Sequence, residues 1–187
     1  MCARFEIDIK DAAMEDIVRR AGADAEAGEI RPGMRAPVLT AADAAPRLLG
    51  WGYARPHGGL VINARSETVC ERPMFRGDFL YRRCLVPASG FYEWSRGKDK
   101  YFFRRPDGRM LFMGGVYRDE DERFVVLTAP AVPPVSPIHD RIPVLIDRSA
   151  AEPWLRDRRF AETLVAAAPV CPLVCDAPPM RQASFFD

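Results

Sequence analysis

The residue types with chemistry to offer in this chain are a cysteine at position two, an asparagine ending an apolar run, a glutamate inside an aromatic run and a histidine ahead of an apolar strand. In Met1-Cys2-Ala3-Arg4-Phe5 the second residue is small, as methionine removal generally requires. Loss of Met1 would leave Cys2 with a free α-amine beside its thiol, an aminothiol that no internal cysteine can form. Such a group captures aldehydes in two stages. The amine forms an imine, and the thiolate then closes a five-membered thiazolidine. An α-amine has an unperturbed pKa of roughly 7.7–8.0, so an appreciable fraction is neutral and nucleophilic near pH 7. Many chains begin Met-Cys, so the partners of Cys2 decide what it means.

Three candidate partners stand out. Asn63 ends Val61-Ile62-Asn63 and opens the polar cluster Ala64-Arg65-Ser66-Glu67-Thr68. Its amide can donate and accept, and Arg65 can bind a phosphate. The competing reading is a turn asparagine, with Ser66 capping a helix and Glu67 in its first turn. Glu93 lies in Gly90-Phe91-Tyr92-Glu93-Trp94, where strand alternation puts Phe91 and Glu93 on one face and Tyr92 and Trp94 on the other. A carboxylate among aromatics is costly to ionise, so burial would raise its pKa toward a useful acid–base range. A structural glutamate paired with a core arginine is the alternative. His139, in Pro137-Ile138-His139-Asp140-Arg141-Ile142-Pro143, sits at a loop-to-strand junction beside Arg141. A lone histidine is usually structural, but loops at such junctions carry function.

The elements that must position these residues are short. Asp11 caps a predicted helix whose Met14, Ile17, Val18 and Ala21 keep the spacing of one buried face, and Gly22 ends it. Residues 24–35 read as an exposed loop. Phe79–Val86, Gly90–Trp94, Tyr101–Arg104, Met110–Tyr117 and Arg123–Thr128 read as strands, joined by turns such as Pro106-Asp107-Gly108 and the charged stretch Arg118–Arg123. Seventeen prolines argue against long helices. A last helix is expected over Phe160–Ala168, and the tail 169–187 is expected to lie extended across the surface. The pattern is one α+β domain over 1–187, with a mostly antiparallel, barrel-like β core and a few peripheral helices.

With 187 residues and 48% hydrophobic content, the chain can bury a core without staples. It has neither a secretory leader pattern nor an apolar run long enough for a membrane span. Five scattered cysteines fit a reducing cytoplasm better than a disulfide framework. A structural zinc site is not expected: Cys171 and Cys175 stand four apart, and His57 and His139 are the only imidazoles. Net charge is +1, yet residues 51–110 hold twelve basic and six acidic side chains, most of the basic ones arginine. This is either a solvated arginine-rich face or a groove for a polyanion.

Taken together these residues resemble the SRAP family, named for SOS-response-associated peptidase, which shields abasic sites in single-stranded DNA. The matching pieces are Met1-Cys2 with Arg4-Phe5, Trp51-Gly52, Asn63-Ala64-Arg65-Ser66-Glu67-Thr68, Phe75-Arg76, the block Arg82–Trp94, Gly114-Gly115 and His139-x-Arg141-x-Pro143. They run in family order over most of the chain. The resemblance implies an SRAP fold and a Cys2 that, after Met1 removal, bonds covalently to the ring-opened aldehyde of an abasic site. It implies that Asn63 positions the amine or the sugar, that Glu93 is the general acid–base, and that His139 shuttles protons. Arg4, Arg65, Arg76 and Arg141 are then phosphate contacts, and Trp51 lies against a base or sugar. No metal or organic cofactor is implied. The implied partner is abasic single-stranded DNA, bound by a monomer in the cytoplasm and at the nucleoid when on DNA.

The chain departs from the family pattern at Ala3, where glycine is usual, and at Thr128-Ala129-Pro130-Ala131-Val132-Pro133-Pro134, where prolines replace an asparagine-bearing segment ahead of His139. Ile142 stands for the usual methionine, and Ala54-Arg55-Pro56 replaces an apolar-Pro pattern. Two other functions compete: a thiol autopeptidase that processes its own N-terminus with Cys2, Glu93 and His139, and a non-catalytic single-strand binding module.

Overall fold

The computed structural model of the chain describes residues 2–43, 45–167 and 171–176. Alternation of Phe5 and Ile7 turns one side of strand β1 (Arg4–Ile7) into the core. The Asp11 carboxylate accepts the Ala13 backbone N–H at 2.9 Å and starts helix α1 (Ala12–Ala21), which Gly22 ends at φ 113°. Strands β2 (Gly28–Ile30), β3 (Arg35–Thr40), β4 (Arg47–Trp51), the hairpin β5 (Tyr53–Ala54) and β6 (Leu60–Val61), and β7 (Asn63–Arg65) follow. After a single 3-10 turn at Ser66–Thr68 come α2 (Pro73–Tyr81), β8 (Arg83–Ala88), β9 (Gly90–Trp94), β10 (Lys100–Arg104), β11 (Leu111–Arg118) and β12 (Arg123–Pro130). The described part ends with β13 (Arg141–Pro143), β14 (Leu145–Ile146), α3 (Ala151–Arg156), α4 (Arg158–Ala167) and β15 (Val174–Asp176).

Five of these strands close on themselves. β4 pairs β3, β3 pairs β8, β8 pairs β11, β11 pairs β12, and β12 returns to β4, so the sheet is a barrel without a free edge along that path. All of these pairings are antiparallel except β4 with β12. The architecture is α+β with mostly antiparallel sheets. A second sheet, in the order β15-β10-β9-β1-β2, turns its inner face to the core through Phe5, Phe91 and Phe103. Trp51 packs between Phe5 (ring centroids 5.1 Å) and Phe124 (6.4 Å, stacked) and ties this sheet to the barrel. No helix among the described residues is long and apolar enough to cross a membrane.

β12 is the spine of the molecule. One of its edges pairs β11 and then β13, and the other pairs β4 and then β7. In this register Val126 lies opposite Asn63, and Pro130 opposite Arg141. Two segments far apart in sequence are thereby brought to one end of the barrel.

Several expectations need correcting. Residues 79–81, read as the start of a strand, are the last turn of α2. Pro73 suits the first turn of that helix, and the buried Arg83 guanidinium holds its end by donating to Phe79 O (2.8 Å), Leu80 O (3.0 Å) and Trp154 O (2.7 Å). Residues 24–35 are not all loop: Gly28–Ile30 pairs β1, because buried Ile30 faces Phe5. Ser66 does not cap a helix but lies within the 3-10 turn. Beyond Pro169, Val174–Asp176 is a strand on the edge of the second sheet, against β10. The rest of the expected tail, 177–187, lies outside the described residues.

Gly90 sets the spacing between β9 and β10. A Cβ there would lie 2.5 Å from Phe103 O, a backbone atom that cannot swing away. Gly90→Ala is therefore expected to lower stability by about 1–3 kcal/mol, measured as the midpoint of urea unfolding. An unchanged midpoint would show that the strand pair has slack.

Candidate active site

Cys2 precedes β1 and is buried at 0% exposure. Its Sγ lies 3.6 Å from Arg4 O, to which the thiol donates. Burial pushes the thiol well above its ordinary range, and the Glu93 charge adds to the push. The sulfur is therefore a neutral thiol near pH 7 and needs a base before it can attack. Asn63, at the start of β7, donates from Nδ2 to Cys2 O at 2.8 Å. Its Oδ1 is buried and has no hydrogen-bond partner among the described residues. Of its two capacities, one holds the Cys2 backbone and the other awaits a donor.

Glu93 is 2% exposed on β9, with Phe91 on the same face. His139 Nε2 stands 3.9 Å from Glu93 Oε2, beyond hydrogen-bond reach but within the span of one bridging oxygen. The Arg141 backbone N–H donates to His139 Nδ1 at 3.0 Å. The same nitrogen lies 3.1 Å from Asp140 Oδ1 and 3.3 Å from Arg141 O, so its surroundings suit either tautomer, while Nε2 is the nitrogen facing Glu93. The proline-bearing segment before His139 folds back on itself: Val135 O accepts Ile138 N (2.8 Å) and His139 N (3.0 Å), and Ala131 N reaches Asp140 O (2.9 Å). The departure from the family pattern in that loop leaves the histidine beside Glu93. An open groove of about 800 Å³ runs past His139, between Trp94–Gly97 on one wall and Ser136–Asp140 on the other.

A family model described as SOS response associated peptidase (SRAP) matches residues 1–173. The chain belongs to the SRAP family. Among relatives, the abasic site processing protein YedK of Escherichia coli is 32% identical over 180 residues, which cover 83% of this chain and 80% of YedK. The abasic site processing protein YoaM of Bacillus subtilis is 29% identical over 185 residues, covering 84% and 80%. A solved structure from Bordetella bronchiseptica shares the fold at TM-score 0.77 and 22% identity, covering 96% of this chain and 100% of its own. A phage-related protein of the same organism gives 0.74 at 25% identity, covering 94% and 93%.

Within this SRAP chain the basic residues divide. Arg65 and Arg76 are exposed, on β7 and α2. Arg141 is 11% exposed, and its guanidinium is held by Glu67 and by Thr128 O. This contact holds the Glu67 carboxyl down at about 2. Arg4 is held by Glu29 and lies 5.7 Å from the Trp94 ring centroid. Trp51 is a correction: expected against a base or sugar, it is 0% exposed, and its Nε1 donates to Ile62 O at 3.0 Å. Its faces are covered by Phe5 and Phe124, so it shapes the site from behind. Glu67 and Trp94 were missed as members of the neighbourhood. Strand alternation had placed Trp94 opposite Glu93, but only the fold shows that its face borders the groove.

Burial pushes the Glu93 carboxyl from its ordinary 4.5 to about 7, against an opposing Trp94 backbone N–H. Below pH 4.5 the carboxyl is protonated folded and unfolded, and burial carries no ionic penalty. Between 4.5 and about 7 the unfolded chain releases its proton first, so stability falls as pH rises, and the loss is complete above 7. Glu93→Gln removes that loss. Its melting temperature relative to the parent protein is expected to be higher at pH 8 than at pH 5, by thermal denaturation in matched buffers. An equal difference at both pH values would mean that Glu93 does not titrate in this window.

Proposed function

We propose that this SRAP chain recognises abasic sites in single-stranded DNA and bonds to them covalently through Cys2. The observation that carries the reading is the convergence of Cys2, Asn63, Glu93 and His139, the last of which lines the groove. An aminothiol, an acid–base group poised near neutrality and a second proton carrier are what aldehyde capture requires. The names of the curated relatives support abasic DNA as the source of the aldehyde.

The steps follow from the residue types. After Met1 removal, the Cys2 α-amine is the donor that Asn63 Oδ1 lacks, and Asn63 Nδ2 keeps the adjoining carbonyl in place. An abasic sugar is mainly a closed hemiacetal. Glu93, protonated in about half the molecules near pH 7, donates a proton to the ring oxygen while the anomeric hydroxyl gives its own to water, and the aldehyde opens. The amine adds to the carbonyl carbon, and water leaves to give the imine. The thiol proton passes to the Glu93 carboxylate, sulfur bonds to the imine carbon with the C=N electron pair moving to nitrogen, and the nitrogen takes a proton from water as the ring closes. His139 Nε2 exchanges protons with Glu93 through a bridging oxygen. Closure matters because an imine acidifies the neighbouring C–H and invites β-elimination and strand cleavage. Arg4, Arg65 and Arg76 attract the backbone, and Arg141 joins when a phosphate displaces Glu67. The unit acting is a monomer on single-stranded DNA.

The test is incubation of protein shown by intact mass to lack Met1 with an oligonucleotide carrying one abasic site. A heat-stable adduct weighing the sum of the two less one water is expected. Cys2→Ala should abolish it, and Glu93→Gln should slow its formation by about 100-fold. Absence of adduct from processed protein would overturn the reading, and denaturation-resistant adducts from Cys2→Ala would assign the bond to another residue.

A further inference from the structure

The outer face of the second sheet carries a cluster of which the chemistry above uses only Arg4. Glu29 on β2 is contacted by three cations from three segments: Arg4 on β1, Lys100 on β10, and Arg31 just past β2, whose Nε is 3.4 Å from Glu29 Oε1. Lys100 Nζ also sits 3.8 Å from the centre of the Tyr92 ring and 5.8 Å from Trp94. Tyr92 in turn donates to Glu6 Oε2 at 2.9 Å. One carboxylate cannot neutralise three cations, and with Glu6 included the cluster still carries a net positive charge. The cations remain partly open: side-chain exposure is 33% for Arg4, 39% for Lys100 and 60% for Arg31, against 22% for Glu29. Lys100 holds the Glu29 carboxyl down at about 2, so it stays ionised across the physiological range.

The position of the cluster says what it would meet. Trp94 walls the groove beside His139 and also lies under Arg4 and Lys100. The cluster is therefore one ring's width from the groove, on the same edge as the exposed Arg96 and Lys98. A chain of phosphates leaving the groove over Trp94 would reach it next. We propose that Arg4, Arg31 and Lys100 form a phosphate subsite for the DNA strand flanking the reacting nucleotide, with Glu29 as the carboxylate that holds the cations in place until a phosphate displaces it. The inference rests on the reading that single-stranded DNA occupies the groove. Phosphate outcompetes the carboxylate because it is one of a linked series whose binding releases counterions, which a lone carboxylate does not.

The experiment uses the whole chain and an undamaged single-stranded oligonucleotide, which offers no aldehyde, so the readout is independent of Cys2 chemistry. Fluorescence anisotropy across 50–200 mM salt gives the affinity and its salt slope. Lys100→Met and Arg31→Met are each expected to weaken binding about fivefold and to lower the salt slope by about 0.7, the value of one lost phosphate contact on a single strand. Glu29→Gln should tighten binding severalfold, since it frees the cations. Affinity and slope unchanged in both methionine variants would overturn the subsite. So would a Glu29→Gln protein that melts lower and binds no tighter, which would make Glu29 only a brace for the sheet. A parent protein that binds with the expected slope but forms no adduct on abasic DNA would sink the covalent chemistry and leave this subsite standing.

Discussion

The antiparallel pairing of β1 with β9 is the constraint on which the site depends. Arg4 lies opposite Tyr92 and Phe5 opposite Phe91. Continuing that register upstream brings residues 2 and 3 alongside Trp94 and Glu93, so a residue near the chain terminus meets a carboxylate some ninety positions away. The pairing is held by what lies beneath it: Phe5, Phe91 and Phe103 on the inner face, with Trp51 wedged against Phe5 from the barrel side. A shift of one residue would turn Glu93 to solvent and Tyr92 to the core, because strand side chains alternate. The geometry of the chemical groups is thus a consequence of apolar packing behind them.

The second half of the site depends on β12 in the same way. Its two edges align β7 and β13, which deliver Asn63 and the His139–Arg141 segment to the same end of the barrel. Arg141 then fastens this end by reaching Thr128 O on β12 and Glu67 beyond β7. A closed barrel resists local opening, since every ring strand has two partners. β7 and β13 pair with this frame, so Asn63 and the His139–Arg141 segment are held with little freedom, which is what positioning a bound substrate needs.

Electrostatics run in two directions across this small volume. Inside, burial holds the Cys2 thiol and the Glu93 carboxyl in their neutral forms longer than water would. Outside, Arg4 and Arg141 are each engaged by a carboxylate, Glu29 or Glu67. The first arrangement keeps protons where a reaction needs them. The second gives the basic side chains a fixed geometry.

By itself, the sequence determined the class of fold, the Asp11-capped helix, the Gly90–Trp94 strand and the residue types able to capture an aldehyde. These depend on local periodicity, on turn residues and on side-chain chemistry, all of which can be read within a short window. It also placed Glu93 on one face of its strand with Phe91, and so anticipated a carboxylate in apolar surroundings. Only the tertiary structure decided that this face is the buried one beside Cys2, that Trp51 serves the core, that residues 79–81 end a helix, and that Glu67 and Glu29 hold arginines. Each of these turns on which distant segment supplies the neighbour: Phe5 and Phe124 for Trp51, Arg83 for the end of α2, Arg141 for Glu67. Long-range pairing of strands, set by burial of apolar faces, chose those neighbours, and no local pattern encodes that choice.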